Sequence, residues 1–244
     1  MTHDDKATGG AESAADGRMT ILEHLDELRQ RLVKAVLAVA VTTLVSLIFT
    51  NKILEWLLVP SGGIKPIFLR PTEMFMTYMR VGLIAGIALA MPVIVYQLLR
   101  YLTPALEPRE KKYLYSFVPG ATLFFIAGVA FAYFAMLPFA LKYLLTFGSD
   151  LVEAKWAIGE YISFVTSMLL WVGIAFETPM VIYFLAKLHV VTVKKLTSFR
   201  KFALVGAFVL AAVITPTPDP FNQLMVAIPI ILLYELGILL ARFA

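Results

Sequence analysis

The stretch "LMVAIPIILLYELGILL", from Leu224 to Leu240, contains a single charged residue, Glu235. A helix that crosses the hydrocarbon core of a bilayer needs about 20 mostly apolar residues, within a range of about 17–25. This stretch is long enough and apolar enough to meet that requirement. It therefore predicts a membrane-spanning helix near the end of the sequence.

The composition of the whole chain points the same way. Of the 244 residues, 60% are hydrophobic and 16% are charged, whereas soluble proteins average about 45–50% and about 25%. The apolar residues are gathered in long runs, which predicts membrane helices rather than a large soluble core. The chain contains no cysteine, which excludes disulfides and thiolate metal sites.

Five further apolar runs precede this stretch. They extend from about Val33 to Thr50, Tyr78 to Leu99, Phe117 to Leu137, Ile162 to Ala186, and Phe202 to Thr215. The last run is short for a span and is separated from Leu224 only by "PTPDPFNQ", so a re-entrant hairpin is the alternative to two separate spans. We predict an all-α membrane protein with six transmembrane helices.

The polar start of the chain, residues 1–19, differs from the rest. Small and polar residues dominate it, which predicts a disordered tail, and residues 20–244 are then one six-span transmembrane domain. If the N-terminus lies inside, 15 of the 21 lysines and arginines fall on cytosolic segments. Cytosolic loops of membrane proteins are enriched in these residues. We therefore expect both termini to be cytosolic and the protein to be multi-pass.

Two segments on the predicted outer side combine apolar and polar residues. In "NKILEWLLVPSGGIKPIF" the residues from Ile53 to Leu58 have the pattern of a short amphipathic helix, ended by Pro60. "LKYLLTFGSDLVEAKWAIGEYISF" mixes aromatic residues with charges. We expect both to form short amphipathic caps on the outer membrane face.

A charged helix start precedes the first apolar run, in "TILEHLDELRQRL". Thr20 and Glu23 match a capping box, so a helix is predicted to begin at Thr20. On that helix Glu23, Asp26 and Glu27 lie along one face, and Glu27 and Arg31 form an i,i+4 pair. The pattern is compatible with a binding surface, and equally with an amphipathic lead-in whose charges pair with each other.

A second charged group lies in the predicted cytosolic loop "RYLTPALEPREKKYLY". Pro104 and Pro108 restrict its backbone, so Tyr101, Glu107 and Glu110 are expected to occupy defined positions among basic residues. The alternative is a positively charged inner loop with compensating acids.

The third group is centred on Glu177 in "GIAFETPMVI", well inside the fourth span. A charged side chain at this depth costs about 2.5–3.5 kcal/mol on insertion scales, so such residues usually face a partner or a cavity. Pro179 removes a backbone donor nearby. Gln223 and Thr215, at the outer ends of the last two spans, are candidates for the same groove. A single interhelical hydrogen bond is the structural alternative.

Enzyme templates are missing from the sequence. The three histidines have no metal-ligand spacing between them, and neither GxSxG nor a phosphate-binding glycine loop occurs. We therefore predict no enzymatic activity, no cofactor and no metal site. No nucleic-acid-binding motif is found either, so nucleic acid is not an expected partner.

Seven stretches carry a resemblance to a known family. They are "HLDELRQRL", "TEMFMTYMRVGL", "PVIVYQLLRYLTPAL", "GVAFAYF", "FETPMVI", "VGAFVLAAVITPTPDPFNQ" and "AIPIILLYELG". With these stretches in this order, the chain resembles the TatC family, the multi-spanning receptor subunit of the twin-arginine protein translocase, from about Thr20 to Phe243. The resemblance implies binding of signal peptides of folded cargo, which carry two consecutive arginines, at the cytosolic face of the bacterial inner (cytoplasmic) membrane.

The resemblance also implies partners and site residues. The partners are the single-span subunits TatA and TatB, other copies of the chain and membrane lipid, with transport driven by the proton motive force. The implied signal-peptide site consists of Glu27, Arg29, Arg31, Tyr101 and Glu110. The implied docking site for partner helices consists of Glu177, Gln223 and Thr215.

An arginine guanidinium pairs with a carboxylate through two parallel hydrogen bonds, which a lysine cannot reproduce. Two adjacent arginines on an extended peptide point in different directions, so two carboxylates on separate elements suit them. We expect Glu110 to receive one arginine and Glu27 to hold the other or shape the site.

Two other classes of function are alternatives. A small proton-coupled secondary transporter would use Glu177 as its proton site, but such folds usually contain internal repeats, and the two halves of this sequence do not resemble each other. Proton uptake by proteoliposomes that contain this chain alone would favour that alternative. A purely structural membrane scaffold would leave the cytosolic carboxylates without a ligand, so peptide binding distinguishes it.

Overall fold

The computed structural model describes residues 21–63, 66–102, 111–147, 155–215 and 219–244. The predicted tail of residues 1–19, Thr20 of the capping box, and the loop residues Glu107 and Glu110 lie outside the described residues. Ten α-helices occur within the described residues, and no β-strand does. The helices are α1 Ile21–Ile48, α2 Thr50–Leu58, α3 Glu73–Leu102, α4 Lys111–Phe131, α5 Leu137–Thr146, α6 Ile158–Phe176, α7 Thr178–Lys187, α8 Val193–Ser198, α9 Arg200–Ile214 and α10 Pro220–Ala241.

The predicted spans correspond to these helices. Five segments of the described chain are long and apolar enough to cross a membrane, namely Leu22–Ile48, Glu73–Tyr101, Phe117–Thr146, Ile158–Lys187 and Pro220–Ala241. The remaining predicted span, the fifth in chain order, is α9, with 15 residues. At 1.5 Å per residue α9 is about 22 Å long, shorter than the hydrocarbon core of about 30 Å. α9 packs against α10.

The third span is longer than predicted. We expected it to end near Leu137, before Pro138, but α5 continues to Thr146. A π-helical turn, Ala132–Met136, joins α4 to α5 and brings Pro138 into the first turn of α5. The wider π turn accommodates a proline that lacks a backbone donor, so the helix bends without ending. The start of the predicted second outer cap is therefore helical, and its residues 148–154 are outside the described part.

The fourth span breaks where Glu177 and Pro179 predict a disturbance. α6 ends at Phe176 and α7 begins at Thr178, with Pro179 in its first turn. The hydrophobic core is centred on α6, where Ile162, Val165 and Met168 are fully buried. Leu141 of α5 and Val226 of α10 belong to the same buried cluster.

The first helix, α1, packs along α3. Two glycines on α3, in the order Gly82-x-x-x-Gly86, allow the backbones to approach closely, as small residues do between membrane helices. A Cβ atom on Gly86 would lie 2.6 Å from the Cα atom of Thr43. The hydroxyl of Thr42 donates a hydrogen bond of 2.8 Å to the carbonyl oxygen of Gly86. α1 is thereby held on α3, while most of its apolar side chains remain exposed to the surroundings.

The first outer cap agrees with the sequence prediction. α2 is followed by one turn of 3-10 helix, Val59–Ser61, which contains Pro60. Leu54 and Leu57 are buried, whereas Trp56 is 74% exposed. The hydroxyl of Tyr161 on α6 donates to the carbonyl oxygen of Leu57 at 2.8 Å, which ties the cap to the core.

The next outer segment is tied to the start of α6 by backbone hydrogen bonds. The amide of Ile67 donates to the carbonyl of Trp156 at 2.9 Å, and the amide of Ile158 donates to the carbonyl of Ile67 at 2.8 Å. One carboxylate oxygen of Glu73, at the start of α3, accepts from the amide of Gly159 at 2.8 Å. The other accepts from the amide of Leu69 at 2.8 Å. These bonds join three outer segments into one rigid face.

Candidate functional sites

The start of α1 and the end of α3 meet through two aromatic rings. The ring of His24 stacks on the ring of Tyr101, with centroids 4.5 Å apart and an interplanar angle of 23°. Tyr101 is the last residue but one of α3 and belongs to the start of the predicted cytosolic loop. The structure therefore brings together two of the segments that the sequence places on the cytosolic side.

Glu27 follows His24 by three residues and so lies on the same face of α1. Its Oε1 atom accepts a hydrogen bond of 3.1 Å from Nη2 of Arg31, one helical turn later. Its Oε2 atom is buried and has no hydrogen-bond partner among the described residues, and the same holds for Nε of Arg31. An unsatisfied carboxylate oxygen is costly to bury, so Glu27 retains an unused acceptor atom.

The neighbouring charges of α1 are arranged differently. Asp26 is exposed and accepts a hydrogen bond of 3.0 Å from the side chain of Gln30. Arg29 is exposed and, two residues away from both Glu27 and Arg31, does not share their face. The structure thus brings Arg31 to Glu27 but leaves Arg29 on another side of the helix. Glu110, the remaining predicted residue of this site, lies outside the described residues.

The predicted intramembrane residue Glu177 occupies the junction between α6 and α7. The residue is 7% exposed, and its Oε1 atom is buried without a hydrogen-bond partner in the described chain. Pro179 cannot donate a backbone hydrogen bond, which explains why the helix is interrupted at this position. A buried polar atom within a span normally has a partner, so Glu177 is suited to receive a polar group from a second helix.

Gln223 and Thr215 make their hydrogen bonds within α9 and α10. The side chain of Gln223 donates to the carbonyl of Phe208 at 3.2 Å. The hydroxyl of Thr215 donates to the carbonyl of Ala211 at 2.8 Å, and Thr215 is buried. Neither residue is hydrogen-bonded to Glu177.

The packing of α7 on α10 sets the relative depth of these residues. A Cβ atom on Gly237 of α10 would lie 2.6 Å from Cδ1 of Ile182 on α7, so these two residues are at the same level. Glu177 precedes Ile182 by five residues, and Gln223 precedes Gly237 by fourteen. At 1.5 Å per residue, Gln223 lies about 13 Å nearer the outer side than Glu177. The predicted docking residues are therefore spread along the bundle and do not form one cluster.

Sequence reasoning did not select two features of these sites. The first is His24, whose three-residue spacing to Glu27 places both side chains on one helix face. Asn222 is completely buried, and its Oδ1 atom has no hydrogen-bond partner in the described residues. Its amide donates to Asp219, the N-cap of α10, at 2.9 Å. Asp219, a preferred N-cap residue three positions before Asn222, is the signal that would have revealed this helix start.

The histidine, aspartate and glutamate side chains of the described residues form no group of three or more that could hold a metal ion. Carboxylates with unused acceptor atoms are what the two sites have in common. Such oxygen atoms can accept hydrogen bonds from cationic or neutral donor groups.

The fold and these two sites define a polytopic helical membrane protein, with one partly satisfied carboxylate at a membrane face and another inside the bundle. The family profile described as Sec-independent protein translocase protein (TatC) matches residues 23–229. The chain belongs to the TatC family.

Relatives and solved structures agree over nearly the full length. The chain is 38% identical to Sec-independent protein translocase protein TatC of Carboxydothermus hydrogenoformans, over 93% of this chain and 95% of that protein. It is 40% identical to TatC of Aquifex aeolicus, over 93% of this chain and 96% of that protein. A crystal structure of the twin-arginine translocase receptor TatC superimposes with a TM-score of 0.82 at 40% identity, over 91% of this chain and 99% of that one.

Proposed function

We propose that this chain is the receptor subunit of a twin-arginine translocase in the bacterial inner membrane. In this role it binds the twin-arginine signal peptides of folded cargo proteins at its cytosolic face. Membership of the TatC family supports the assignment, as does the likeness to a solved structure described as a twin-arginine translocase receptor. The predicted orientation puts the start of α1 and the end of α3 on the required side.

The observation that carries the proposal is the buried, unsatisfied carboxylate oxygen of Glu27. Arg31 occupies one oxygen, and the other is buried without a partner in the described chain. We expect a signal arginine to displace the groups that cover this oxygen, so that its guanidinium donates one charge-assisted hydrogen bond, about twice as strong as a neutral one. The site is held beside the end of α3 by the stack of His24 on Tyr101.

Two arginines require two acceptors. Glu27 has one oxygen engaged by Arg31, so it offers a single acceptor rather than a fork. We therefore assign the bidentate pairing with one signal arginine to Glu110, and the single hydrogen bond with the other arginine to Glu27. In this scheme Arg31 orients Glu27, Tyr101 positions the helix start, and Arg29 contributes only through its charge.

For the intramembrane site we propose docking of the single-span subunits TatA and TatB. A polar side chain on such a helix would gain a hydrogen bond from Glu177 that lipid cannot supply. The depth difference between Glu177 and Gln223 suits a partner helix that lies lengthwise on the bundle, with Thr215 near its outer end. The chain also contacts other copies of itself and membrane lipid. The proton motive force drives export.

The experiment that tests the receptor assignment compares two peptides. A fluorescent signal peptide with two arginines and its counterpart with two lysines are titrated into the purified chain in detergent. We expect the arginine peptide to bind at least about tenfold more tightly, equivalent to about 1.4 kcal/mol, because lysine cannot form the bidentate pair. Equal affinities for a chain that is shown to be folded would overturn the proposal.

A further inference from the structure

A cleft opens between the start of α9 and the end of α10, on the side predicted to be cytosolic. Its volume is about 400 Å³. The lining residues are Arg200, Glu235, Leu236, Ile238, Leu239 and Arg242. Two guanidinium groups thus meet an apolar wall at the level where a helix leaves the membrane, and neither of the two sites described above includes these residues.

The charges of this Arg200–Arg242 cleft are not balanced. Nη2 of Arg200 donates to Oε2 of Glu235 at 2.6 Å, yet the Arg200 side chain is still 50% exposed. Arg242 is exposed, and within the described residues its guanidinium makes no hydrogen bond or ion pair. One carboxylate therefore faces two guanidinium groups, which leaves a net positive charge that favours an anion.

Two side-chain contacts hold the cleft in shape, one between α10 and α8 and one between α10 and α9. The hydroxyl of Tyr234 on α10 donates to the carbonyl of Leu196 on α8 at 2.8 Å. The ion pair of Arg200 with Glu235 adds a second connection from α9 to α10. Both contacts exist without a ligand. The ion pair already holds the Arg200 side chain, so binding a ligand costs less conformational entropy at this residue.

An apolar stripe on α10 leads from the cleft into the membrane. Ile228, Leu232, Leu236 and Leu239 are exposed and follow one another at spacings of four, four and three residues, so they share one helix face. A ligand that fits both parts has an anionic head and long apolar chains.

The small length of α9 favours such a ligand at this position. α9 is about 22 Å long, so Arg200 at its start lies closer to the hydrocarbon core than the end of a full-length span would. Arginine reaches the headgroup layer by extending its side chain, or draws headgroups inward. A lipid phosphate group at Arg200 would supply a counter-ion for its charge at this depth.

We propose that the Arg200–Arg242 cleft binds one anionic phospholipid of the cytosolic leaflet. Its phosphate accepts hydrogen bonds from the guanidinium groups of Arg242 and Arg200, and its acyl chains lie along the α10 stripe. Basic pockets between membrane helices on this side recognise anionic headgroups in this way. The site does not depend on the receptor assignment, because it uses neither Glu27 nor Glu177.

The test uses the full chain, delipidated in detergent, and counts bound lipid by native mass spectrometry during titration. Phosphatidylglycerol is compared with phosphatidylcholine, for the parent chain, Arg242→Gln and Lys201→Gln. Lys201 is the matched control, because it carries the same charge at the same membrane face and does not line the cleft. Thermal unfolding in detergent verifies that each variant is folded.

We expect phosphatidylglycerol to bind the parent chain at least about fivefold more tightly than phosphatidylcholine, since each nearby basic residue contributes a factor of about five. Arg242→Gln should reduce this preference to less than about twofold, while Lys201→Gln retains it. Millimolar glycerol phosphate should not displace the lipid, because it lacks the acyl chains. An acidic peptide added as a second competitor should not displace the lipid either. Equal losses in both variants, or displacement of the lipid by either competitor, would overturn the proposal.

Discussion

The ring of His24 on α1 stacks on the ring of Tyr101 on α3 at a centroid distance of 4.5 Å. This contact joins residues that are 77 positions apart in the sequence. It sets where the start of α1, with Glu27, lies relative to the end of α3.

Replacement of Tyr101 tests this arrangement. Tyr101→Ala removes the stack, which is worth about 0.5–1.5 kcal/mol, and we expect the affinity for a twin-arginine peptide to fall about three- to tenfold. Tyr101→Phe keeps the ring and should bind within about twofold of the parent chain, since the stack is retained. Peptide titration by fluorescence anisotropy measures both. A similar loss in the two variants would indicate that the hydroxyl, rather than the stack, is what matters.

Glu27→Gln removes the negative charge but retains the shape of the side chain. We expect the affinity for a twin-arginine peptide to fall about tenfold, because a charge-assisted hydrogen bond becomes a neutral one. Asp26→Asn is the matched control, since it removes the same charge from the adjacent residue, which is exposed and already bonded to Gln30. Equal effects of the two substitutions would mean that only the overall negative charge of the α1 start is sensed.

Glu177→Ala should weaken docking of the single-span partner subunits and leave signal-peptide binding within about twofold. The reason is that a partner's polar group loses its hydrogen bond inside the membrane, worth about 0.6–2 kcal/mol. Site-specific photocrosslinking to TatA and TatB measures the effect. Glu160→Ala, at an exposed position near the outer end of the same span, is the control. Undiminished crosslinks in Glu177→Ala would contradict the docking assignment.

A methyl group on Gly86 tests the packing of α1 on α3. Its Cβ would lie 2.6 Å from Cα and 2.7 Å from the backbone nitrogen of Thr43, and these backbone atoms cannot move independently. We expect Gly86→Ala to destabilise the protein by about 1–3 kcal/mol, measured by thermal unfolding in detergent. On Gly206 an added Cβ meets nothing within 4 Å. Gly206→Ala should therefore be neutral or stabilising by about 0.5–1 kcal/mol.

The outer cap provides a prediction about hydrogen bonding. Tyr161→Phe deprives the carbonyl of Leu57 of a buried donor and should cost about 1–2 kcal/mol of stability. Tyr133 makes an equivalent bond to the carbonyl of Trp56, also at 2.8 Å, but in an exposed setting. Tyr133→Phe should cost about 0.5 kcal/mol or less, because water can replace the lost donor. Equal unfolding temperatures for the two variants would show that the cap is not part of the cooperative unit.

Several elements were predictable because their physical causes are local. Apolar runs such as the one up to Thr215 predict helices from length and composition, and α9 ends at Ile214, next to the predicted boundary. Pro60 and Pro179 remove backbone donors. Pro60 lies in the 3-10 turn that follows α2, and Pro179 lies in the first turn of α7. Pro138 gave the wrong boundary, since a π turn absorbed it and α5 continued to Thr146.

The relations between distant residues were not predictable in this way. The i,i+4 pair of Glu27 with Arg31 follows from helix geometry, and the structure contains it. The stack of His24 on Tyr101 and the depth difference between Glu177 and Gln223 depend on how helices are placed against each other. No pattern along the chain reports that placement.

The sequence by itself determined the membrane class, the helical segments, the predicted orientation and the family resemblance, because each depends on composition, periodicity or motifs within a short stretch. Only the tertiary structure decided that one oxygen of Glu27 is buried without a hydrogen bond, that Gln223 is satisfied by Phe208, and that Arg200 and Arg242 line one cleft. The physical reason is that an unsatisfied atom or a cleft depends on packing between helices. Small residues such as Gly86 and Gly237 set how closely those helices approach.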